Sequence, residues 1–272
     1  MNLLKNLILP KSSWKIHASL CIHRVIDSGA LDSMIRLLHW PNPRVSFSRT
    51  TGDAMIDRAR SQEATMFYKQ TDADILLFLD DDISYKPEQI VRMCKEAYER
   101  KTIVCGPYVN KREEFTWITS KPLDGEPIFF KEDGGLLEIK WGATGCMAIH
   151  RNVFTDLLQE SDKYPLHDPN HFPLLHPTDL NYYNFFKPFE WQHKNGDFIN
   201  LSEDWAFCEK AARVGYKIYL DTSVQLGHAG RYVYELSDLC REPRPEAKVI
   251  KYIDPSSKET SKDFGKHEIS AV

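Results

Sequence analysis

A chain of 272 residues has room for one large α/β domain or two small ones. Hydrophobic residues make up 42%, enough for a substantial core, and 35 basic against 39 acidic residues leave a net charge of −4. That balance speaks against a broad basic surface for a polyanion such as nucleic acid, while a localised anion site stays open.

The start, "MNLLKNLILP", is interrupted at Lys5 and Asn6 and ended by Pro10, so it does not read as a secretory signal. No apolar run approaches the roughly 18 residues that span a bilayer. A soluble, cytoplasmic protein is expected, with a Leu-rich first turn able to dock on a membrane or a partner. Residues 14–23, "WKIHASLCIH", predict a first strand. "ALDSMIRLLHW" has helical spacing and stops at Pro41, and "RVSFS" is a short second strand. Gly52 and Asp53 open a helix whose residues Ile56, Ala59, Met66 and Phe67 fall near one face. "DILLFL" is a strand with no alternation, as expected where helices cover both faces. Pro87 begins the helix "PEQIVRMCKEAYER", and "TIVCGPY" is a fourth strand. This alternation predicts an α/β fold with an open, mostly parallel, doubly wound sheet.

The pattern then changes. "EPIFFKEDGGLLEIK" predicts a hairpin around Asp133, Gly134 and Gly135. "GCMAIH" is a strand and "RNVFTDLLQE" a helix. Residues 161–200 lack periodicity and suggest a binding loop or lid, with His167, Asp168, His171 and His193 as its polar candidates. Ser202 N-caps a further helix that Gly215 closes, "KIYL" is a strand, and the polar tail from Ser256 reads as disordered. The six cysteines, at 21, 94, 105, 146, 208 and 240, include no CxxC pair; several read as reduced core residues.

Chemistry concentrates at a few points. "LLFLDDD" places Asp80, Asp81 and Asp82 at the end of a buried strand, where doubly wound sheets bind ligands. Neighbouring carboxylates persist most cheaply beside a cation. In an extended run Asp80 and Asp82 point the same way, and two hard oxygen ligands suit Mg²⁺ or Mn²⁺. Ordinary strand-end solvation is the plainer alternative. Glu203 and Asp204 begin a helix, where acids also serve the dipole; one is placed to act as a general base. His228 in "LGHAG" is either structural or the completion of a metal shell. Gly142 and Gly145 in "WGATGCMAI" form a turn or a weak phosphate cradle. Among Asp57, Arg58 and Arg60 an Arg is available to a diphosphate or a nucleobase, or the three form a solvated face.

Together and in this order, "LLFLDDD", "GATGCMAI", "SED" and "LGHAG" resemble the DxD, glycine-loop, xED and C-terminal histidine signatures of GT-A fold nucleotide-sugar glycosyltransferases, over roughly residues 14–235. The histidine signature and "SEDWAFC" look most like small soluble inverting members, including viral and phage ones. The resemblance implies one catalytic domain over 1–255, with a nucleotide-binding half at 14–110 and an acceptor half at 111–235. It implies a nucleoside diphosphate sugar donor, UDP-linked by family frequency, and a glycan or other hydroxyl acceptor. Asp80 and Asp81 would lie against the donor, with Asp80 on the ribose or the metal. Asp82 and His228 would ligate a divalent ion. Cys21, Ile22 and His23 would border the base and ribose, and Asp204 would be the catalytic base, with Glu203 and Trp205 toward the acceptor. "DRARS" resembles the family's Arg-Asn element, with Ser61 where Asn is usual.

Three other functions share some of these features. A haloacid dehalogenase-type phosphatase also uses two aspartates after an apolar strand, but places that strand near its N-terminus. A sugar nucleotidyltransferase needs a Gly-rich basic loop after the first strand, where "CIHRVIDSGA" offers Gly29 alone. An idle carbohydrate-binding module would not need all the acidic motifs.

Overall fold

The computed structural model describes residues 13–22, 24–111, 118–123, 128–130, 134–161, 182–192, 196–230, 232–240 and 250–252. His23, the loop candidates His167, Asp168, His171 and His193, and the polar tail lie outside the described residues.

The first half runs β1 (Lys15–Ile22), α1 (Ser28–Leu38), β2 (Arg44–Thr51), α2 (Ile56–Gln70), β3 (Ile75–Asp80), a short β4 (Ile83–Ser84), α3 (Pro87–Arg100) and β5 (Ile103–Cys105). Local signals set these limits. Asp27 caps α1 by accepting from Gly29 N at 2.8 Å. Pro87 opens α3, and Lys101 in the left-handed region closes it. The second half comprises β6 (Lys121–Pro122), β7 (Ile128–Phe130), β8 (Leu136–Trp141), β9 (Cys146–His150), α4 (Arg151–Ser161), β10 (Phe189–Gln192), β11 (Phe198–Leu201), α5 (Glu203–Arg213), β12 (Ile218–Asp221), β13 (Gly227–Ala229), β14 (Val233–Tyr234) and β15 (Ile250–Tyr252).

The large sheet has the order β2-β1-β3-β9-β5-β12-β8-β6. Its strands all run one way except β9 and β8, so it is mostly parallel. β1 pairs in parallel with β2 and β3, which brings their carboxyl ends to one edge. β3 deals its side chains alternately: Leu76 and Phe78 enter the core shared with α2, α4 and α5, while Ile75, Leu77 and Leu79 face α1 and α3. Both layers are sealed, which is why the strand shows no polar alternation in sequence.

Three features depart from the sequence expectations. β9, fully buried, enters antiparallel between β3 and β5, so the successive β-α units do not simply line up. The hairpin expected at 126–140 has part of its turn, Asp133 included, outside the described residues, and its two strands part company: β7 pairs in parallel with β15, and β8 joins β12 and β6. Joining the large sheet leaves Ile139 and Trp141 each only 2% exposed, a larger apolar gain than an isolated hairpin offers. Finally, α2 buries a polar face: Arg60, Ser61, Glu63 and Thr65 go inside, while Ile56 stays exposed.

That polar face has partners. Glu63 accepts hydrogen bonds from Ser19, Ser48 and Thr50, and His17 bonds Ser46 and Ser48, each at 2.8 Å. Ser61 Oγ accepts from Phe186 N at 3.1 Å, and Thr65 Oγ1 from Tyr183 N at 2.9 Å, so 183–186 docks on α2. From α5, the fully buried Lys210 donates to the carbonyls of Asn184, Phe185 and Lys187 at 3.3, 3.0 and 2.9 Å.

Candidate active site

The three aspartates do not continue an extended run. β3 ends at Asp80, and Asp81 and Asp82 form a turn into β4. The extended run assumed for Asp80 to Asp82 is therefore broken by a turn, and the two carboxylates take different partners. Asp80 Oδ1 accepts from Arg60 Nη2 at 2.8 Å. Asp82 Oδ2 accepts from Lys111 Nζ, and Asp82 Oδ1 lies 3.4 Å from His228 Nε2.

Backbone pairing produces the last contact. β13 lies antiparallel to β4 with His228 opposite Ile83, and Ala229 N donates to Asp82 O at 2.8 Å. The imidazole is oriented by its far nitrogen: Nδ1 lies 2.6 Å from Val109 O. A carbonyl only accepts, so Nδ1 carries a proton and Nε2 is the ring nitrogen turned toward Asp82. Asp82 Oδ1 is sealed from solvent and has no hydrogen-bond partner among the described residues. Burial works to raise the Asp82 pKa, but the neighbouring His228 and Lys111 outweigh it and hold the carboxyl below its ordinary value.

A carboxylate oxygen facing a ring nitrogen suits a cation between them, either a proton on the ring or a metal ion. An oxygen and an imidazole nitrogen suit Mn²⁺ or Mg²⁺ with remaining positions left to phosphate and water. Among the described residues no cluster of three or more His, Cys, Asp or Glu is disposed to hold a metal.

Arg60 links the strand tip to the start of α5. Its guanidinium, 6% exposed, pairs with Asp80 and with Glu203. Burial opposes its charge, yet the two carboxylates more than offset that and raise its pKa. Burial also raises the pKa of Glu203, with Arg60 pulling the other way and Asp204 adding to the rise. Asp204 sits next to this network with a different local role. Ser202 does not cap α5 by its own side chain; its hydroxyl bonds Asp204 Oδ1, which also accepts from Trp205 N at 2.8 Å.

A cleft of about 150 Å³ lies at the carboxyl ends of β1 and β2, lined by Cys21, Ile22, Thr50, Asp53, Ala54, Ile56 and Ala59. Cys21 pairs with Asp80 in register, so the cleft adjoins the acidic tip. Burial pushes the Cys21 thiol up to about 12, which rules it out as a nucleophile at neutral pH. Arg58 turns from the acids to hold Asp53 through two 2.7 Å bonds, and these bonds keep the Asp53 carboxyl below its usual range. Asp57 is half-buried on the same helix.

Residues 60–158 match the family model for Glycosyl transferase family 2, which spans both the Arg60 helix and the aspartate strand. Among solved structures, A197 from STIV aligns with a TM-score of 0.50 at 16% identity, over 90% of this chain and 98% of that chain. No curated protein matches the sequence. The chain has the GT-A glycosyltransferase fold. The family match supports glycosyl transfer as its activity class.

On this GT-A scaffold the glycine loop packs inward. Gly142 N donates to Cys208 Sγ and Gly145 N to Tyr108 Oη, so these two amides are committed to the protein rather than offered to a phosphate. A Cβ at Gly142 would lie 2.2 Å from Cys105 Sγ, and one at Gly145 would lie 2.4 Å from Tyr108 Oη. The loop instead fixes the strand tip, since Gly145 O accepts from Asp80 N at 3.0 Å. Trp205 stacks on Trp141 with centroids 5.0 Å apart, and Glu209 accepts from the indoles of Trp141 and Trp191. Thr50, Asp53 and Lys111 were missed by sequence reasoning. Thr50, near the end of β2, and Asp53, two residues beyond it, carry no motif, although both line the cleft beside the end of β1. Lys111 has no sequence signal, because its partner Asp82 is distant in the chain.

Proposed function

We propose that this chain is a metal-dependent inverting glycosyltransferase. It moves a hexosyl or pentosyl group from a nucleoside diphosphate donor, UDP by preference, to a hydroxyl of a glycan or other acceptor. One observation carries the reading: Asp82 Oδ1 and His228 Nε2 face each other over 3.4 Å, close to an acid cluster that Arg60 ties to the start of α5. A single catalytic domain over 1–255 holds the parts, with 14–110 as the nucleotide half and 111–235 as the acceptor half. The free, buried thiols of Cys21, Cys94, Cys105, Cys146 and Cys208 suit a reducing cytoplasm, and no described helix is long and apolar enough to cross a membrane.

Asp82 and His228 would hold Mn²⁺ or Mg²⁺, which when bound supplies Lewis-acid neutralisation of the departing diphosphate. The cleft beside Cys21, Ile22 and Asp53 accepts the nucleoside, with Asp80 and Asp81 at its inner end. Thr50 gives its hydroxyl proton to Glu63, so its oxygen meets the cleft as an acceptor. Asp204 takes the acceptor hydroxyl proton on the face opposite the leaving group, which inverts the anomeric centre. Ser202 and the Trp205 amide engage Oδ1 and leave Oδ2 for that proton. Glu203 is held by Arg60 and shapes the acceptor side, where Trp205 offers an aromatic surface.

The test is a donor screen with Mn²⁺, reading nucleoside diphosphate release. Asp82→Ala should abolish metal-dependent donor binding while circular dichroism and melting stay as in the parent. Donor binding that ignores both the metal and this substitution would end the reading.

A further inference from the structure

Asp82 has two oxygens, and the chain treats them differently. Oδ1 faces His228 without a hydrogen bond, and Oδ2 accepts from Lys111 Nζ. One short run of chain makes both arrangements. The Val109 carbonyl orients the imidazole, and two residues later Lys111 reaches the carboxylate. The run is anchored. Val109 is fully buried and bridges to Ile118, and Thr119 N donates to Tyr108 O at 3.1 Å. The stem of Lys111 passes over Gly230, two residues after His228. A Cβ there would meet Lys111 Cδ at 3.2 Å and Cγ at 3.6 Å. A long, rotamer-rich side chain is thereby laid along a fixed track to the metal-side carboxylate.

Stability is at most part of the reason: Lys111 is 33% and Asp82 28% exposed, and a partly exposed ion pair adds only modestly to the fold. The ammonium also works against a divalent ion at Oδ1, both by direct repulsion and by cancelling part of the carboxylate charge. A polyanion that engages both cations at once would offset that cost. The geometry points to Lys111 as a diphosphate-binding residue. In the free protein its ammonium rests on the outer oxygen of Asp82. When the donor is bound it moves to the phosphate oxygens, where charge gathers as the glycosidic bond to the leaving group breaks. This rests on the metal-site reading above. It makes cation and nucleotide binding cooperative: weak cation binding alone, and tight binding with the diphosphate present.

The test uses Mn²⁺ titrated into the parent, Lys111→Met and Lys111→Arg and followed by electron paramagnetic resonance, without nucleotide. UDP and inorganic pyrophosphate are then titrated calorimetrically at saturating Mn²⁺. Lys111→Met should bind Mn²⁺ about three- to tenfold more tightly. It should bind UDP and pyrophosphate about tenfold or more weakly, with Lys111→Arg restoring most of that loss. UDP affinity equal to the parent's in Lys111→Met overturns the assignment. So does a large fall in melting temperature, which would make the contact a structural staple. A parent protein that binds neither Mn²⁺ nor UDP fails earlier, at the metal site itself, and is distinguishable by that.

Discussion

The two ends of the acidic rim handle negative charge in opposite ways. At the α5 end, Arg60 is buried between Asp80 and Glu203, and the guanidinium and carboxylates compensate one another. At the β4 end, Asp82 Oδ1 is sealed from water without a hydrogen-bond donor and faces Nε2 of His228. Buried polar groups are normally satisfied, so the unmet oxygen of Asp82 is the one that the proposed cation would meet. Variants at the two ends should therefore fail differently.

The largest effect is expected at Asp204, which lies beside the closed network. Asp204→Asn should lower the transfer rate by about 10²–10⁴-fold, leaving donor binding unchanged. Steady-state kinetics with calorimetric UDP binding checks this, and a full-rate variant would remove Asp204 as the base. Next in size is Arg60→Met. It leaves two carboxylates without their buried partner and should cost about 3–5 kcal/mol of stability in urea unfolding. A loss below about 1 kcal/mol would mean that solvent already screens the network. The smallest and most diagnostic effect lies at Lys210, also on α5, whose buried cation meets carbonyls instead of carboxylates. Burial pushes its ammonium down to about 7 from 10.5. Between those values the unfolded chain binds a proton that the folded one lacks, so stability should rise with pH. The slope is at most about 1.4 kcal/mol per pH unit. Urea midpoints measured at pH 7 and pH 9 should show this rise in the parent and lose it in Lys210→Met.

Much of the frame could be read from the sequence because it rests on local signals. Pro87 marks the start of α3, Gly215 at a φ of +94° follows the end of α5, and the unbroken run at 75–79 marks a strand sealed on both faces. What escaped depended on distant choices. The hairpin expected around Gly134 and Gly135 looked sound locally, but β8 found a better partner in β12. The polar face of α2 is buried because Ser19, Ser48 and Thr50 surround Glu63, and three strand residues cannot be matched to one helix position by spacing alone. At the rim, the pairing of Asp82 with His228 comes from a family resemblance alone, and the structure sets the two side chains 3.4 Å apart. Lys111 had no resemblance to point to it.

The reversed direction of β9 has a further consequence. Because it runs against β3, its first residue, Cys146, lies beside Leu79 at the tip of β3. The loop just before β9 is therefore held at the rim, buried at Ala143 and Thr144 and bonded to Asp80 N through Gly145 O, so a change there reaches the tip of β3 directly. A side chain larger than glycine at 142 or 145 would act at a distance, by displacing the backbone that holds the first of the three acids.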